Sequence, residues 1–177
     1  MLKKTFGAFR SPSLRVLAAY SDQRLSSSAN NCIIDAESAS KRLQIGTVLE
    51  CRRTFSNEDI ESFVTTTGDS NPIHTDCKAA KASGKAPVHV GFSGHVLPGV
   101  LCAALFPALI GSTFPGAIYL SQTLKFRKPA LAGEPVTARI TVDSVSGSRV
   151  AFKTECLSDY GTLLVDGVAV ALIREQQ

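Results

Sequence analysis

The cysteines supply no Cys-x-x-Cys pair: Cys32, Cys51, Cys77, Cys102 and Cys156 are odd in number and widely scattered. That pattern argues against a disulfide framework and against a zinc site. The three histidines, His74, His89 and His95, do not fall at the i, i+4 spacing of helical metal ligands and bring no carboxylate motif with them. No metal and no cofactor is therefore expected. No apolar run is long enough for a membrane span: the longest, Val96 to Ile110, is interrupted by Pro98, Gly99 and Pro107 and falls short of the ~20 residues a bilayer requires. Glycine and proline are also modest, 13 and 8 in 177 residues, which together with 44% apolar and 19% charged residues excludes a collagenous or disordered chain. Length and composition fit one globular domain.

An excess of either sign of charge is missing from most of the chain. Of 19 basic and 15 acidic residues, five basic and one acidic lie in residues 1–29, leaving 14 of each in the remainder. The body is balanced, and nucleic-acid binding has no support in it. No acid precedes Asp22, whereas Lys3, Lys4, Arg10, Arg15 and Arg24 alternate with Leu2, Phe6, Phe9 and Leu17 and with several serines. Residues 1–30 thus read as a mitochondrial targeting presequence, the alternatives being a frayed basic terminus of a cytosolic protein and a plastid address. A secretory signal is disfavoured because Arg15 breaks the only apolar candidate, Leu14 to Tyr20. Residues 31–44 read as a linker, and 45–177 as the folded domain.

Within that domain a first strand is expected over Thr47–Phe55, then a helix capped by Ser56, carrying Ile60, Phe63 and Val64 and ending at Gly68. Gly68 to His74 reads as a loop, followed by a short helix over Asp76–Ala82. The Val96–Ile110 segment is apolar on every side, so the expectation is a helix of about three turns, kinked or ended at Pro107 and buried all round. From Ala117 the period changes to two. Ile118, Leu120, Leu124 and Phe126 are expected to share one face, as are Val136, Ala138, Ile140 and Val142, and then Val150, Phe152, Thr154 and Cys156. In the last strand Leu163 and Val165 give way to Val168, Val170 and Leu172, which predicts a bulge at Asp166-Gly167. Short turns between strands make the sheet antiparallel. The fold class is α+β, a curved antiparallel sheet wrapped around a central apolar helix.

The chemistry points to Gly68-Asp69-Ser70-Asn71-Pro72-Ile73-His74. A carboxylate and an imidazole five residues apart diverge on a helix, but in a turn enforced by Pro72 they can converge on one small volume, as a general acid and base acting on one substrate require. The plain alternative is that Asp69 caps a turn and His74 is a satisfied core histidine. Spacing alone leaves both open.

Gly-Asp-Ser-Asn-Pro-Ile-His-Thr-Asp (68–76) resembles the hydratase motif of the MaoC-like family, the (R)-specific enoyl-thioester hydratases and dehydratases of hot-dog fold. Phe92-Ser93-Gly94 with Val96-Leu97-Pro98-Gly99-Val100-Leu101 resembles the approach to that family's central helix. Gly116-Ala117-Ile118-Tyr119-Leu120, Leu124-Lys125-Phe126-Arg127-Lys128-Pro129 and Gly133-Glu134 resemble the family's segments beyond that helix, so the likeness runs over about residues 45–174. One departure stands out: where the family has His-Gly at the helix start, this chain has Pro98-Gly99.

The resemblance implies catalytic Asp69, His74 and Gly99, the last through a backbone N–H aimed at the thioester oxygen. It implies that Asn71, Val100 and Ala104 meet the substrate, Ala104 standing where a family serine lines the pocket. Lys125, Arg127 and Lys128 form a basic patch suited to an acidic carrier protein or coenzyme phosphates, or else a solvated strand end. With the basic leader, the implied activity is reversible syn elimination of water from (3R)-3-hydroxyacyl chains on acyl carrier protein, in mitochondrial fatty acid synthesis. A homodimer with the acyl slot between subunits is expected. The alternatives are an (R)-specific enoyl-CoA hydratase, a thioesterase, and a non-catalytic acyl-thioester-binding subunit, which the missing His before Gly99 keeps open.

Overall fold

Five strands and four helical segments make up the computed structural model, which describes residues 43–75 and 94–174. The expected presequence, the helix over Asp76–Ala82 and the Phe92-Ser93 part of the motif lie outside these residues. Strand β1 (Val48–Thr54) leads into α1 (Asn57–Thr67) and the single turn α2 (Pro72–Thr75). The segments α3 (Gly99–Ala103) and α4 (Leu105–Thr113) come next. Strands β2 (Ile118–Phe126), β3 (Pro135–Ser146), β4 (Arg149–Ser158) and β5 (Leu163–Leu172) complete the fold. The sheet order is β1-β3-β4-β5-β2 with every neighbouring pair antiparallel.

Local chemistry explains the ends of α1. The Ser56 hydroxyl accepts from the Asp59 N–H while the Asp59 carboxylate accepts from the Ser56 N–H, a reciprocal cap that satisfies two otherwise orphaned donors. At the other end Gly68 turns left-handed at φ 72°, and its N–H closes on the Val64 carbonyl at 2.8 Å. The chain leaves the helix sharply at the residue before Asp69. The loop expected up to His74 in fact contains α2, because Pro72 supplies a first helical position with its φ already set and no N–H to orphan.

The inner face of the sheet is built as the alternation predicts on β3 and β4: Val136, Ala138, Ile140 and Val142, and opposite them Val150, Phe152, Thr154 and Cys156, are all at most 1% exposed. Phe106, Leu109 and Ile110 of α4 pack onto that face, each at most 1% exposed. At about 1.5–3 kcal/mol per fully buried large apolar side chain, this contact dominates the stabilisation.

On β5 the reading is corrected. Its bulge is at Leu164, between the pairs Cys156↔Val165 and Leu157↔Leu163, not at Asp166-Gly167. From Val165 onward the parity is unbroken, so Ala169 and Ala171 face the core and Val168, Val170 and Leu172 face outward. A second bulge skips Leu120 on β2, so Ile118, opposite Leu172, lies on the outer face while Leu124 and Phe126, opposite Gly167 and Val165, lie on the inner one.

The central helix also departs from expectation. It passes Pro107 and runs to Thr113, with its one irregularity at Ala104, since Pro107 is the third residue of α4, where a missing N–H leaves no broken bond. Nor is it buried all round: Val100, Ala104, Pro107, Ala108, Gly111 and Ser112 form an exposed stripe along one side.

Candidate active site

Asp69 and His74 are brought together by a chain of local hydrogen bonds. The Asn71 N–H donates to Asp69 Oδ1 at 3.0 Å, an Asx turn that occupies one carboxylate oxygen and leaves the other free to face across the turn. Asn71 Oδ1 accepts from the Ile73 N–H at 3.4 Å, and the Asn71 carbonyl accepts from the His74 N–H at 3.1 Å. Asn71 therefore caps α2 and shapes the loop; it is not among the residues that line the cavity. The result is Asp69 Oδ2 at 3.6 Å from His74 Nε2.

A second contact fixes the histidine. His74 is 8% exposed, and its Nδ1 lies 2.7 Å from the Val96 carbonyl. A carbonyl only accepts, so Nδ1 carries a proton and, in the neutral ring, the lone pair is on Nε2, the nitrogen turned toward Asp69. Val96 is itself anchored. Its N–H donates to the Ile73 carbonyl at 3.0 Å, and its neighbours are tied to the segment before β3 by Leu97 N–H to Ala130 and Ala132 N–H to His95. Two stretches far apart in sequence thus hold one imidazole from both sides.

Beside this pair lies a cavity of about 650 Å³, reached by both Asp69 and His74 and otherwise mainly apolar, with Phe63, Ile73, Leu97 and Leu164 among its walls. Its volume is in the range of small-molecule sites. Pro98, buried, is the N-cap of α3, and Gly99 is its first residue, so the Gly99 and Val100 N–H groups have no intrahelical acceptor, and both residues line the cavity. Val100 is 55% exposed at the cavity edge. Ala104 is exposed one turn beyond Val100 on the same side of the helix and does not line the cavity.

The basic patch divides. Arg127 and Lys128 line the cavity and Lys125 does not. Arg127 is clamped in two hydrogen bonds to Asp166, at 2.6 and 3.2 Å, and that partner holds the guanidinium above its usual value and the Asp166 carboxyl below its own. Lys128 is the cation at the mouth with no ion-pair partner among the described residues.

Three lining groups have no counterpart in the sequence reading. The Val96 carbonyl leaves no side-chain signature. Phe126 reads as an ordinary strand residue. Cys102, 2% exposed, reaches the cavity from α3 while sharing a hydrogen bond with Cys156. That hydrogen bond and burial together push the Cys156 thiol well above the ordinary thiol range, so it stays protonated.

The sequence profile of the family described as MaoC like domain matches residues 40–158. The mitochondrial 3-hydroxyacyl-[acyl-carrier-protein] dehydratase FERN of Solanum lycopersicum is 36% identical over 150 residues, which span 82% of this chain and 87% of that protein. The (R)-specific enoyl-CoA hydratase of Aeromonas caviae is 29% identical over 136 residues, 75% of this chain and 96% of that protein. Among solved structures, the (R)-hydratase from A. caviae involved in PHA biosynthesis superposes with a TM-score of 0.66 at 29% identity, covering 75% of this chain and 98% of that one. The curved sheet around its helix is accordingly a hot-dog fold. This chain belongs to the MaoC-like dehydratase family and is a hydro-lyase of its kind, a 3-hydroxyacyl-thioester dehydratase or enoyl-thioester hydratase.

Proposed function

We propose that this protein is a (3R)-3-hydroxyacyl-acyl carrier protein dehydratase of mitochondrial type II fatty acid synthesis, with Asp69, His74 and Gly99 as its catalytic groups. The observation that carries the reading is the 3.6 Å approach of Asp69 Oδ2 to His74 Nε2 at a mainly apolar cavity that also holds the N-terminus of α3. Dehydration breaks a C2–H bond and the C3–O bond, forms the C2–C3 double bond, and releases water. A group must take the C2 proton while another gives a proton to the departing hydroxyl. Between them the two facing atoms need to hold one proton, which is the same count before and after turnover, and passing that proton from the base back to the acid resets the pair for the next substrate. Because both groups face the cavity from one loop, the proton and the hydroxyl leave from the same face, which is syn elimination. Negative charge gathering on the thioester oxygen is met by the Gly99 N–H and the positive end of the helix.

Asp69→Asn and His74→Ala should each lower turnover about 10²–10⁴-fold while the fold persists, read by steady-state kinetics beside circular dichroism. Near-normal turnover by either variant would remove that residue from the mechanism. The acyl carrier protein assignment is supported by the basic leader and by the name of the S. lycopersicum relative. The A. caviae relative supports coenzyme A as the carrier instead, on the same site. Turnover of equal chain lengths on the two carriers separates the readings: a higher kcat/KM on acyl carrier protein supports the first, and a higher value on coenzyme A the second. Residues 1–30 as presequence, 31–44 as linker and 45–177 as domain belong to the same proposal. So does a homodimer, supported by the exposed apolar stripe of the central helix and by Ile118 and Leu120, 53% and 42% exposed on edge strand β2.

A further inference from the structure

Phe126 is out of place by the usual accounting. It closes β2 opposite Val165, on the inner face of the sheet, yet it is 56% exposed. Its ring rests directly on the start of the central helix: a Cβ added to Gly99 would lie 2.6 Å from Phe126 Cδ1 and 2.7 Å from Cε1, closer than atoms approach without displacement. The backbone gives no other reason for glycine at this position, because Gly99 is not among the residues with positive φ. The absent side chain is what lets the ring sit against the helix end. Both residues line the cavity, and Arg127 and Lys128 succeed Phe126 along the same wall.

From this contact we infer that Phe126 is a positioning residue for the thioester end of the substrate. The ring is the wall that holds the acyl-thioester in register with the Gly99 N–H. The inference rests on the proposed dehydratase reading and adds to it a second function for Gly99: the glycine supplies a hydrogen-bond donor and also the vacant Cβ position that admits the ring. Gly99→Ala keeps the N–H but drives the ring toward the cavity, so the two functions can be taken apart.

The experiment is a double-mutant cycle on hydration of a 2-enoyl-CoA, with kcat and KM measured separately and each variant checked by thermal melting. Phe126→Ala should raise KM about five- to tenfold, the worth of one aromatic contact, with kcat changed less than about threefold. Gly99→Ala should lower kcat/KM about 10²-fold, as displacement of a reacting group by an ångström does. Gly99→Ala combined with Phe126→Ala should return to the level of Phe126→Ala alone, because the obstructing ring is gone. An unchanged KM in Phe126→Ala, or a double variant as poor as Gly99→Ala, overturns the inference. If Gly99→Ala does not fold, the KM of Phe126→Ala decides alone. Asp69→Asn run alongside separates the two levels of claim: if it is inactive while Phe126→Ala is silent, only the positioning role falls, and if it is fully active the dehydratase reading falls and takes this inference with it.

Discussion

Tyr119 shows how one half-buried hydroxyl couples to stability. Its O–H donates to Gln122 Oε1, and the Gln122 amide donates to Thr154 Oγ1 at 3.1 Å, so a polar thread satisfies Thr154, which is wholly buried. Burial pushes the Tyr119 phenol from an ordinary value near 10 up to about 12. A folded-state value above the unfolded one means that the native chain holds its proton longer than the unfolded chain does. The stability is therefore complete below about pH 10 and is lost as pH rises toward about 12. Melting temperature measured over that window should fall in the native chain, and Tyr119→Phe should flatten the step; an equal slope in both would place the titration elsewhere. At this scale the approach of Asp69 to His74 was one of two readings the spacing left open, Pro72 ruling out only a helix running through both. The Val96 carbonyl that sets the His74 tautomer was not legible, since a backbone acceptor 22 residues away has no residue-type signature.

Strands β2 and β5 carry the clearest disagreement between alternation and structure. Alternation locates bulges only where the apolar pattern itself breaks, and at Asp166-Gly167 it broke because of a glycine needed for another reason. A Cβ on Gly167 would fall 1.7 Å from the Thr123 carbonyl oxygen, and 3.0 Å from Gln122 Nε2. The glycine lets β2 approach β5 and lets the Gln122 amide reach across to Thr154. Gly167→Ala should destabilise the fold by about 1–3 kcal/mol or more, as overpacking at an immovable backbone does, read by chemical denaturation. A loss below about 0.5 kcal/mol, the range of an unremarkable surface change, would mean the strands part without cost. The α1 caps, by contrast, were readable at both ends, because Ser56 with Asp59 and Gly68 before Pro72 are local signals that tertiary packing does not override.

For the whole molecule, the striped exposure of the central helix is the main addition to what the sequence conveys. An apolar segment suggests burial but not by what, and here the sheet covers one side while Val100, Ala104, Pro107, Ala108 and Gly111 stay in contact with solvent. Small side chains along that side suit close approach by a second surface, and the proposed homodimer places the other subunit there. Ala108→Arg, at an exposed helical position, should leave the monomer fold intact and shift sedimentation toward the monomer. A native chain that sediments as a monomer would contradict the dimer itself. The α+β class, the number of strands and the Asp69–His74 turn were thus accessible from residue pattern. The bulges and the exposed helix side depend on contacts between distant segments and were not.

The proposed mechanism comes down to one pair of groups, Asp69 and His74, exchanging protons with the same face of an acyl chain. The most direct test is hydration of a trans-2-enoyl thioester in deuterated water, with assignment of both new stereocentres. The expected product is a (3R)-3-hydroxyacyl thioester with deuterium at C2 on the face that received the hydroxyl, and none from Asp69→Asn above about one hundredth of the native rate. Deuterium on the opposite face, or a 3S product, would contradict a shared Asp69–His74 site.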